Sequence, residues 1–280
     1  NTVTPGNNAG GGLYCLDHSS PLVEDCTFAE NVAQYGAAVT LNADCSPTIR
    51  GCTFDQNQGA GAGSANAAID AHIGCDPVIE ACAFTGNRAD YGAAIGLSDT
   101  CNPTIGACAF TTNSASAGGG ALYFATVCSP TLTACTFEAN DAGWGGVVVG
   151  DDFATPRFSD CLFRGNTATG GGGVAGLYNL SDAEFDRCVF AGNSADYAGV
   201  LVTDTDSAPL FTNSLFSGNI ASFAGVGAAY GASAPRVVNC TAVGNQADFV
   251  GGFYATQATP VFQNSIIWAN SDFNGSGETS

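Results

Sequence analysis

A Phe-x-x-Asn motif recurs along almost the whole chain and constrains the fold more than any other feature of the sequence. Consecutive asparagines are 25 to 27 residues apart, except for one separation of 30. A constant period of this length is the signature of a repeat architecture, in which each repeat stacks on its neighbours. The phenylalanines are Phe28, Phe54, Phe84, Phe110, Phe137, Phe163, Phe190 and Phe216. The asparagines are Asn31, Asn57, Asn87, Asn113, Asn140, Asn166, Asn193 and Asn219, with Asn245 and Asn270 in two degenerate copies.

Each repeat is typical of short strands rather than helices. Apolar residues alternate over a few positions between glycines, and no window shows helical periodicity or 18 consecutive apolar residues. Strands that coil in this way stack equivalent residues about 4.8 Å apart, so that each inward position becomes a column of like side chains. The sequence therefore predicts an all-β fold, a right-handed single-stranded parallel β-helix (solenoid) of about ten rungs of ~26 residues with three strands and three faces per rung.

Two columns follow from this register. The phenylalanines are expected to form one continuous buried column. The asparagines are expected to stack at the adjacent corner, because asparagine tolerates left-handed backbone and its amide can bond neighbouring rungs. The one long repeat has extra residues at 59–66, which we expect to form a loop on a single rung.

The combination of Phe-x-x-Asn with Gly-Gly-Ala-(Ile/Leu/Val), as at residues 119–122, carries a family resemblance. It resembles the repeats of chlamydial polymorphic membrane proteins and related bacterial right-handed parallel β-helix surface proteins. The resemblance covers about ten rungs. It implies a secreted, surface-displayed β-helix of a kind often used in adhesion.

The repeat runs through the chain as one unit. We predict a single β-helix domain over residues 1–280, with a partial first rung at 1–20, regular rungs at 21–270 and a C-terminal tail at 271–280. Neither end carries an amphipathic capping helix, although an uncovered final rung is an open sheet edge. Two explanations are open: the sequence is a piece of a longer coil, or copies stack end to end into an open filament.

The charge balance excludes two classes of partner. The chain has 25 acidic residues against 6 arginines and no lysine, which gives a net charge of −19. This charge repels phosphate backbones and anionic lipid surfaces, so we expect neither nucleic-acid binding nor membrane insertion. The chain contains no methionine and begins with Asn1, which we interpret as the result of signal-peptide removal. The expected location is extracellular or on the cell surface.

Most of the 13 cysteines fall in two columns. The first, two residues before the phenylalanine, holds Cys26, Cys52, Cys82, Cys108, Cys135, Cys161, Cys188 and Cys240, and Ser214 and Ser265 complete it. The second, two residues before a recurring proline, holds Cys45, Cys75, Cys101 and Cys128. Disulfides within a rung would join Cys45 to Cys52, Cys75 to Cys82, Cys101 to Cys108 and Cys128 to Cys135. The alternative is a ladder of buried thiols that act as small hydrophobic side chains.

Acidic residues gather near the corner before the recurring proline, at Asp44, Asp76, Asp99, Asp151, Asp152, Asp182, Asp204 and Asp206. No basic residue recurs beside them, and His18 and His72 occupy different positions of the repeat. We therefore predict no catalytic residues, no enzymatic activity and no cofactor. The acidic corner is interpreted as a solvated edge that discourages sheet pairing, with calcium binding as the alternative.

Two further patterns concern the surface. An aromatic column lies four residues after the asparagines, at Tyr35, Tyr91, Trp144, Tyr197, Phe223 and Phe249. Such a column either packs internally or, if it faces outward, stacks against sugars. N-glycosylation sequons begin at Asn179, Asn239 and Asn274.

These observations predict an extracellular structural or interaction β-helix. It either self-assembles head to tail as a filament subunit or serves as an adhesin stalk. The expected partners are copies of itself and glycans of host or matrix surfaces. The alternative is a carbohydrate-binding or polysaccharide-cleaving β-helix.

Overall fold

A computed structural model describes residues 10–59 and 67–273. This part of the chain contains four parallel sheets of ten strands each. The strands are numbered in chain order, and every fourth strand belongs to the same sheet, so each rung contributes one strand to each sheet. The described residues therefore coil as a β-solenoid of ten rungs, and the fold class predicted from the sequence is confirmed.

Sheet 1 consists of β1 Leu13–Leu16, β5 Val39–Asn42, β9 Ile69–His72, β13 Ile95–Leu97, β17 Leu122–Phe124, β21 Val148–Gly150, β25 Ala175–Leu177, β29 Leu201–Thr203, β33 Gly227–Ala229 and β37 Phe253–Ala255. Sheet 2 consists of β2 Leu22–Glu24, β6 Thr48–Arg50, β10 Val78–Glu80, β14 Thr104–Gly106, β18 Thr131–Thr133, β22 Arg157–Ser159, β26 Glu184–Asp186, β30 Leu210–Thr212, β34 Arg236–Val238 and β38 Val261–Gln263.

Sheet 3 consists of β3 Thr27–Ala29, β7 Thr53–Asp55, β11 Ala83–Thr85, β15 Ala109–Thr111, β19 Thr136–Glu138, β23 Leu162–Arg164, β27 Val189–Ala191, β31 Leu215–Ser217, β35 Thr241–Val243 and β39 Ile266–Trp268. Sheet 4 consists of β4 Val32–Ala33, β8 Gln58–Gly59, β12 Arg88–Tyr91, β16 Ser114–Gly118, β20 Asp141–Trp144, β24 Thr167–Ala168, β28 Ser194–Ala195, β32 Ile220–Ala221, β36 Gln246–Ala247 and β40 Ser271–Asp272.

The rung has four strands, whereas the sequence predicted three strands and three faces. The additional strands are those of sheet 4, and most of them are only two residues long. Two residues cannot show the alternation of inward and outward side chains by which a strand is recognised in a sequence. The extra residues of the long repeat fall between β8 and β9, and positions 60–66 lie outside the described residues.

The phenylalanine column lies in sheet 3, at the central, inward position of its first eight strands, while β35 and β39 hold Ala242 and Ile267 there. Phe84, Phe110 and Phe137 pair in register, and their rings stack with centroids 4.9 and 4.7 Å apart. A second phenylalanine column, in sheet 2, meets the first edge to face, as Phe158 does with Phe163 at 5.6 Å. Aromatic side chains therefore pack both along the axis and across it in the core, beside the aliphatic residues of sheet 1.

The asparagine column lies at the corner between sheets 3 and 4 and forms a continuous hydrogen-bonded ladder. The backbone N–H and the Nδ2 of Asn140 both donate to Oδ1 of Asn166, each at 3.0 Å. Nδ2 of Asn140 also donates to the carbonyl of Phe110 in the preceding rung at 3.0 Å. The side chain is completely buried, so the ladder satisfies polar groups that have no access to water.

The left-handed residue at this corner is the one before each asparagine, not the asparagine itself. Thr112 and Ala139 have φ of 53° and 54°. The prediction that asparagine was selected for left-handed backbone is therefore wrong. Its side chain is held in the ladder instead, and the sharp bend is made by its neighbour.

The two cysteine columns lie at the corners on either side of sheet 2 and are also ladders. The N–H of Cys82 donates to Sγ of Cys108 at 3.4 Å, and in the second column the N–H of Cys45 donates to Sγ of Cys75 at 3.2 Å. Ser214 takes the place of a thiol, since its Oγ accepts the N–H of Cys188 at 3.1 Å. These contacts thus join equivalent positions of successive rungs, so the columns run along the axis of the coil.

All thirteen cysteines are free thiols in the structure. The disulfides Cys45–Cys52, Cys75–Cys82, Cys101–Cys108 and Cys128–Cys135, one of the two arrangements predicted, are not formed in it. The arrangement corresponds to the alternative, a thiol ladder, but with a hydrogen-bonding role beyond that of a small hydrophobic side chain. Burial raises the pKa of Cys128 to about 11, which disfavours the reactive thiolate at neutral pH.

The interchange of cysteine and serine in this ladder leads to a stability prediction. Ser214→Ala should lower the free energy of unfolding by about 1–3 kcal/mol, because the buried N–H of Cys188 loses its acceptor. Ser214→Cys should cost less than about 1 kcal/mol, because a thiol accepts the same bond in other rungs. Urea unfolding of the two variants checks this, and equal losses would contradict a hydrogen-bonding role for the column.

Sheet 1 differs from sheets 2 and 3 because most of its strands are buried on both faces. In β13, β21, β25, β29 and β33 every residue is buried. The outer face is covered by the connection that enters the sheet from sheet 4. A small second core forms there around Val202 and Ala228, against which Phe223 and Tyr254 pack. The corner between sheets 4 and 1 is therefore thicker than the others.

Candidate ligand-binding site

The aromatic column predicted from the sequence lies on this thick corner and faces largely outward. Trp144 is 49 % exposed, and Tyr35, Tyr197 and Phe249 are exposed as well. Phe223 is half-buried because it packs on the second core. Of the two interpretations of the column, outward display therefore holds for most members, and internal packing holds for Phe223.

Glycines interrupt this aromatic column on both sides of Trp144. Gly118 lies between Tyr91 and Trp144 in the register of sheet 4. On the other side, the indole of Trp144 packs against Gly170 and Gly171, where an added Cβ would come within 3.4 and 3.1 Å of its ring atoms. Glycine at such positions marks a close approach, here of an indole to the backbone.

An open cavity of 530 Å³ lies beside Trp144, and we call it the aromatic slot. Its volume is within the range usual for ligand pockets. The slot spans five rungs, from Tyr91 on β12 to Tyr178 beyond β25. It is lined by Tyr91, Ser116, Ala117, Gly118, Tyr123, Gly143, Trp144, Val149, Asp151, Thr169, Gly170 and Tyr178.

The polar groups of the slot are held in place by the neighbouring rungs. Oδ1 of Asp151 accepts hydrogen bonds from Nδ2 of Asn179 at 2.7 Å and from the N–H of Asp152 at 2.9 Å. The Tyr178 hydroxyl is buried and has no hydrogen-bond partner within the described residues. Burial, reinforced by the charge of Asp151, raises the pKa of Tyr123 to about 12, so this phenol stays protonated and can donate.

The slot thus combines broad aromatic faces with a fixed carboxylate and phenolic hydroxyls. The sequence identified Tyr91 and Trp144 through the column and Asp151 through the acidic corner, but did not bring them together. It missed Tyr123 and Tyr178, which lie in and after strands of sheet 1. The signal that could have found the site is the lack of an aromatic residue four positions after Asn113 and Asn166, where the chain has Ala117 and Gly170.

The remaining acidic residues line the corner between sheets 1 and 2, and some have a structural role there. Oδ1 of Asp76 accepts the N–H of Asn102 at 2.6 Å, and Oδ1 of Asp182 accepts the N–H of Ala208 at 2.6 Å. Within residues 10–59 and 67–273, no three carboxylate, thiol or imidazole groups are arranged to hold a metal ion. Calcium binding at this corner stays a prediction.

The glycosylation sites are only partly described. Asn179 and Asn239 are both exposed at corners, while Asn274 lies outside the described residues. Their glycosylation stays a prediction. The part of the chain that the structure describes contains no helix with the length and apolar character needed to cross a membrane.

Comparison with known proteins agrees with the coiled architecture. The family model described as "right handed beta helix region" matches residues 3–67 and 62–177, which together exceed half of the chain. The chain belongs to this right-handed β-helix family. The family includes both polysaccharide-cleaving enzymes and proteins without enzymatic activity. A search of curated proteins finds no match.

Proposed function

We propose that this protein is an extracellular β-helix that binds carbohydrate at the aromatic slot. The observation that carries the proposal is the half-exposed indole of Trp144, flanked by glycines and set in a cavity with Tyr91, Tyr123 and Asp151. Sugar rings present apolar C–H faces that stack on aromatic side chains and hydroxyl groups that bond to carboxylates. Aromatic residues combined with a few fixed polar groups are also what ligand pockets generally contain.

The charge of the molecule narrows the ligand to neutral glycans. The net charge of −19 and the carboxylate of Asp151 both oppose an anionic sugar. The aromatic walls of the slot come from neighbouring rungs that the sheets hold in fixed register. An open slot of this kind suits an internal segment of a long chain better than a small free sugar.

The proposal predicts that Trp144, one of the two tryptophans, contributes most to the affinity for the sugar. Trp144→Ala should weaken binding of a neutral oligosaccharide by about tenfold or more, equivalent to about 1.4 kcal/mol. Calorimetric titration with cellohexaose, chitohexaose and mannohexaose, with polygalacturonate as the anionic comparison, measures this. In the variant Trp268→Phe, all tryptophan fluorescence comes from Trp144, and a bound sugar should change its emission.

Trp268→Ala is the matched control, because Trp268 is 70 % exposed and lies in the last described rung, away from the slot. It should bind like the unaltered protein. If no neutral oligosaccharide binds, or if both alanine variants lose binding equally, the slot is not the site.

Carbohydrate binding at the cell surface is compatible with the adhesin role predicted from the sequence. Head-to-tail stacking into a filament stays a prediction, as does the particular resemblance to chlamydial polymorphic membrane proteins. The slot supports the carbohydrate-binding alternative over a purely structural coil, because it combines an exposed indole with a cavity and fixed polar groups.

A further inference from the structure

A serine, a histidine and a buried aspartate form a chain of contacts in the third and fourth rungs. Asp70 and His72 lie on β9, and Ser98 directly follows β13. Nε2 of His72 lies 2.9 Å from Oδ2 of Asp70, and Nδ1 of His72 lies 2.6 Å from Oγ of Ser98. The Asp70 side chain is completely buried, whereas His72 is 26 % exposed and Ser98 is half-buried.

The buried carboxylate determines which nitrogen of the imidazole can act as a base. A carboxylate attracts a proton, so the proton of the neutral imidazole is favoured on Nε2, 2.9 Å from Oδ2 of Asp70, although the angle of this contact is not that of a hydrogen bond. In neutral His72 this leaves the lone pair on Nδ1, which faces the hydroxyl of Ser98. A nucleophile within hydrogen-bond reach of a base that is oriented by a third group is the arrangement that activates serine in unrelated folds.

We propose that Ser98 is a nucleophile activated by His72 and Asp70, and that it accepts the acyl group of an uncharged carboxylic ester. The proposal is independent of the aromatic slot, since the two share no residue. It departs from the prediction that the chain has no catalytic residues. The cluster could not be recognised in the sequence, because Ser98 lies 26 residues after His72, one rung further along the coil.

The chemical step uses only groups in this cluster, the ester and water. Oγ of Ser98 attacks the ester carbonyl carbon while its proton moves to Nδ1 of His72. The bond from that carbon to the alcohol oxygen then breaks, and the proton passes from His72 to the departing alcohol. Water, activated by the same nitrogen, releases the carboxylic acid from Ser98 and restores the hydroxyl.

The surroundings favour the charged form of the imidazole that arises in this step. Burial lowers the pKa of His72, but its close contact with Asp70 and the charges of Asp70 and Asp99 outweigh burial and raise it. Burial raises the pKa of Asp70, and His72 opposes that change. Asp99, whose Oδ2 lies 3.0 Å from Oγ of Ser98, is a second acceptor for the hydroxyl proton and would repel an anionic substrate.

The neighbouring rungs supply substitutions that the fold already accommodates. In the register of sheet 1, Thr40 pairs with Asp70 and Asn42 pairs with His72. Leu97 pairs with Phe124, so Ser98 is equivalent to Ala125. Asp70→Thr, His72→Asn and Ser98→Ala therefore place in each position a residue that the same column holds one rung away.

The test is covalent labelling with an uncharged alkyl fluorophosphonate, followed by peptide mass spectrometry. Attack by Oγ forms a bond to phosphorus and expels fluoride, so the adduct marks the nucleophile directly. Ser98 should be labelled in the folded protein, at a rate that rises with pH above 6.5 as His72 loses its proton. His72→Asn should slow labelling by about 100-fold or more, the range expected for loss of a general base. Hydrolysis of p-nitrophenyl acetate should fall in parallel.

Ser129→Ala is the control, because Ser129 is also a corner hydroxyl but bonds to Oγ1 of Thr155, not to a histidine. It should leave labelling of Ser98 unchanged. Asp99→Asn removes the second acceptor of the Ser98 proton, and a loss of labelling in this variant as large as in His72→Asn would show that Asp99, not His72, is the base. No adduct on Ser98 of the folded protein, or an equal rate in the His72→Asn variant, overturns the proposal.

Discussion

Asn140→Ala is expected to lower the free energy of unfolding by about 3–6 kcal/mol. Oδ1 of Asn140 accepts both the N–H and the Nδ2 of Asn113, each at 3.0 Å, and its own Nδ2 donates to the carbonyl of Phe110. Alanine removes these bonds without admitting water, since the site is completely buried. Each buried polar group left without a partner costs about 1–3 kcal/mol.

Equilibrium urea unfolding measures the loss, and hydrogen exchange locates it. The amide of Asn113 should exchange faster in the variant, because its acceptor has been removed. Asn102→Ala is the control, since Asn102 also bonds between rungs, through the N–H of Ser129 at 2.8 Å, but is exposed. It should cost less than about 1 kcal/mol. A similarly small loss for Asn140→Ala would show that the ladder does not stabilise the coil.

Phe110→Ala is expected to cost about 3–5 kcal/mol, the usual range for truncating a buried aromatic side chain. The Phe110 ring is inaccessible to solvent and is stacked between the rings of Phe84 and Phe137. A parallel strand register holds these neighbours in position, so the cavity cannot close by a local shift of one strand. Phe110→Leu should cost less, because it retains more of the buried volume.

Phe153→Ala serves as the control, because Phe153 is 53 % exposed at the corner between sheets 1 and 2. Its removal should change the free energy of unfolding by less than about 0.5 kcal/mol. Thermal unfolding followed by circular dichroism compares the three variants. A loss for Phe110→Ala no larger than that for Phe153→Ala would be inconsistent with a stacked core.

The sequence predicted the structure correctly at positions that hold the same type of side chain in nearly every rung. The phenylalanines and asparagines each fill a column that is chemically uniform, so their period alone predicted the coil and its register. Sheet 4 could not be recognised, because its short strands carry no alternation. The predicted number of faces, three, was therefore wrong, because sheet 4 adds a fourth.

The functional features were harder to predict because they depend on single departures from the repeat. The aromatic slot lies where Gly118 interrupts an aromatic column. Its carboxylate and phenol groups come from positions in or directly after strands of sheet 1, where other rungs hold other residues. The cluster of Asp70, His72 and Ser98 joins residues of two rungs. Their contact cannot be predicted until the strand register is known. A periodic pattern reveals the scaffold, whereas a site is an exception to that pattern.

The asparagine ladder also bears on how such a chain can diverge in evolution. Asn57 and Asn87 are 30 residues apart, yet Nδ2 of Asn57 bonds Oδ1 of Asn87 at the same 2.9 Å that joins Asn87 to Asn113 across 26 residues. The ladder therefore tolerates insertions between sheets 4 and 1 without losing a bond. This is the corner that carries the aromatic slot. A gene of this kind can gain or lose codons there while its coil is conserved, so new surfaces can arise on an unchanged scaffold.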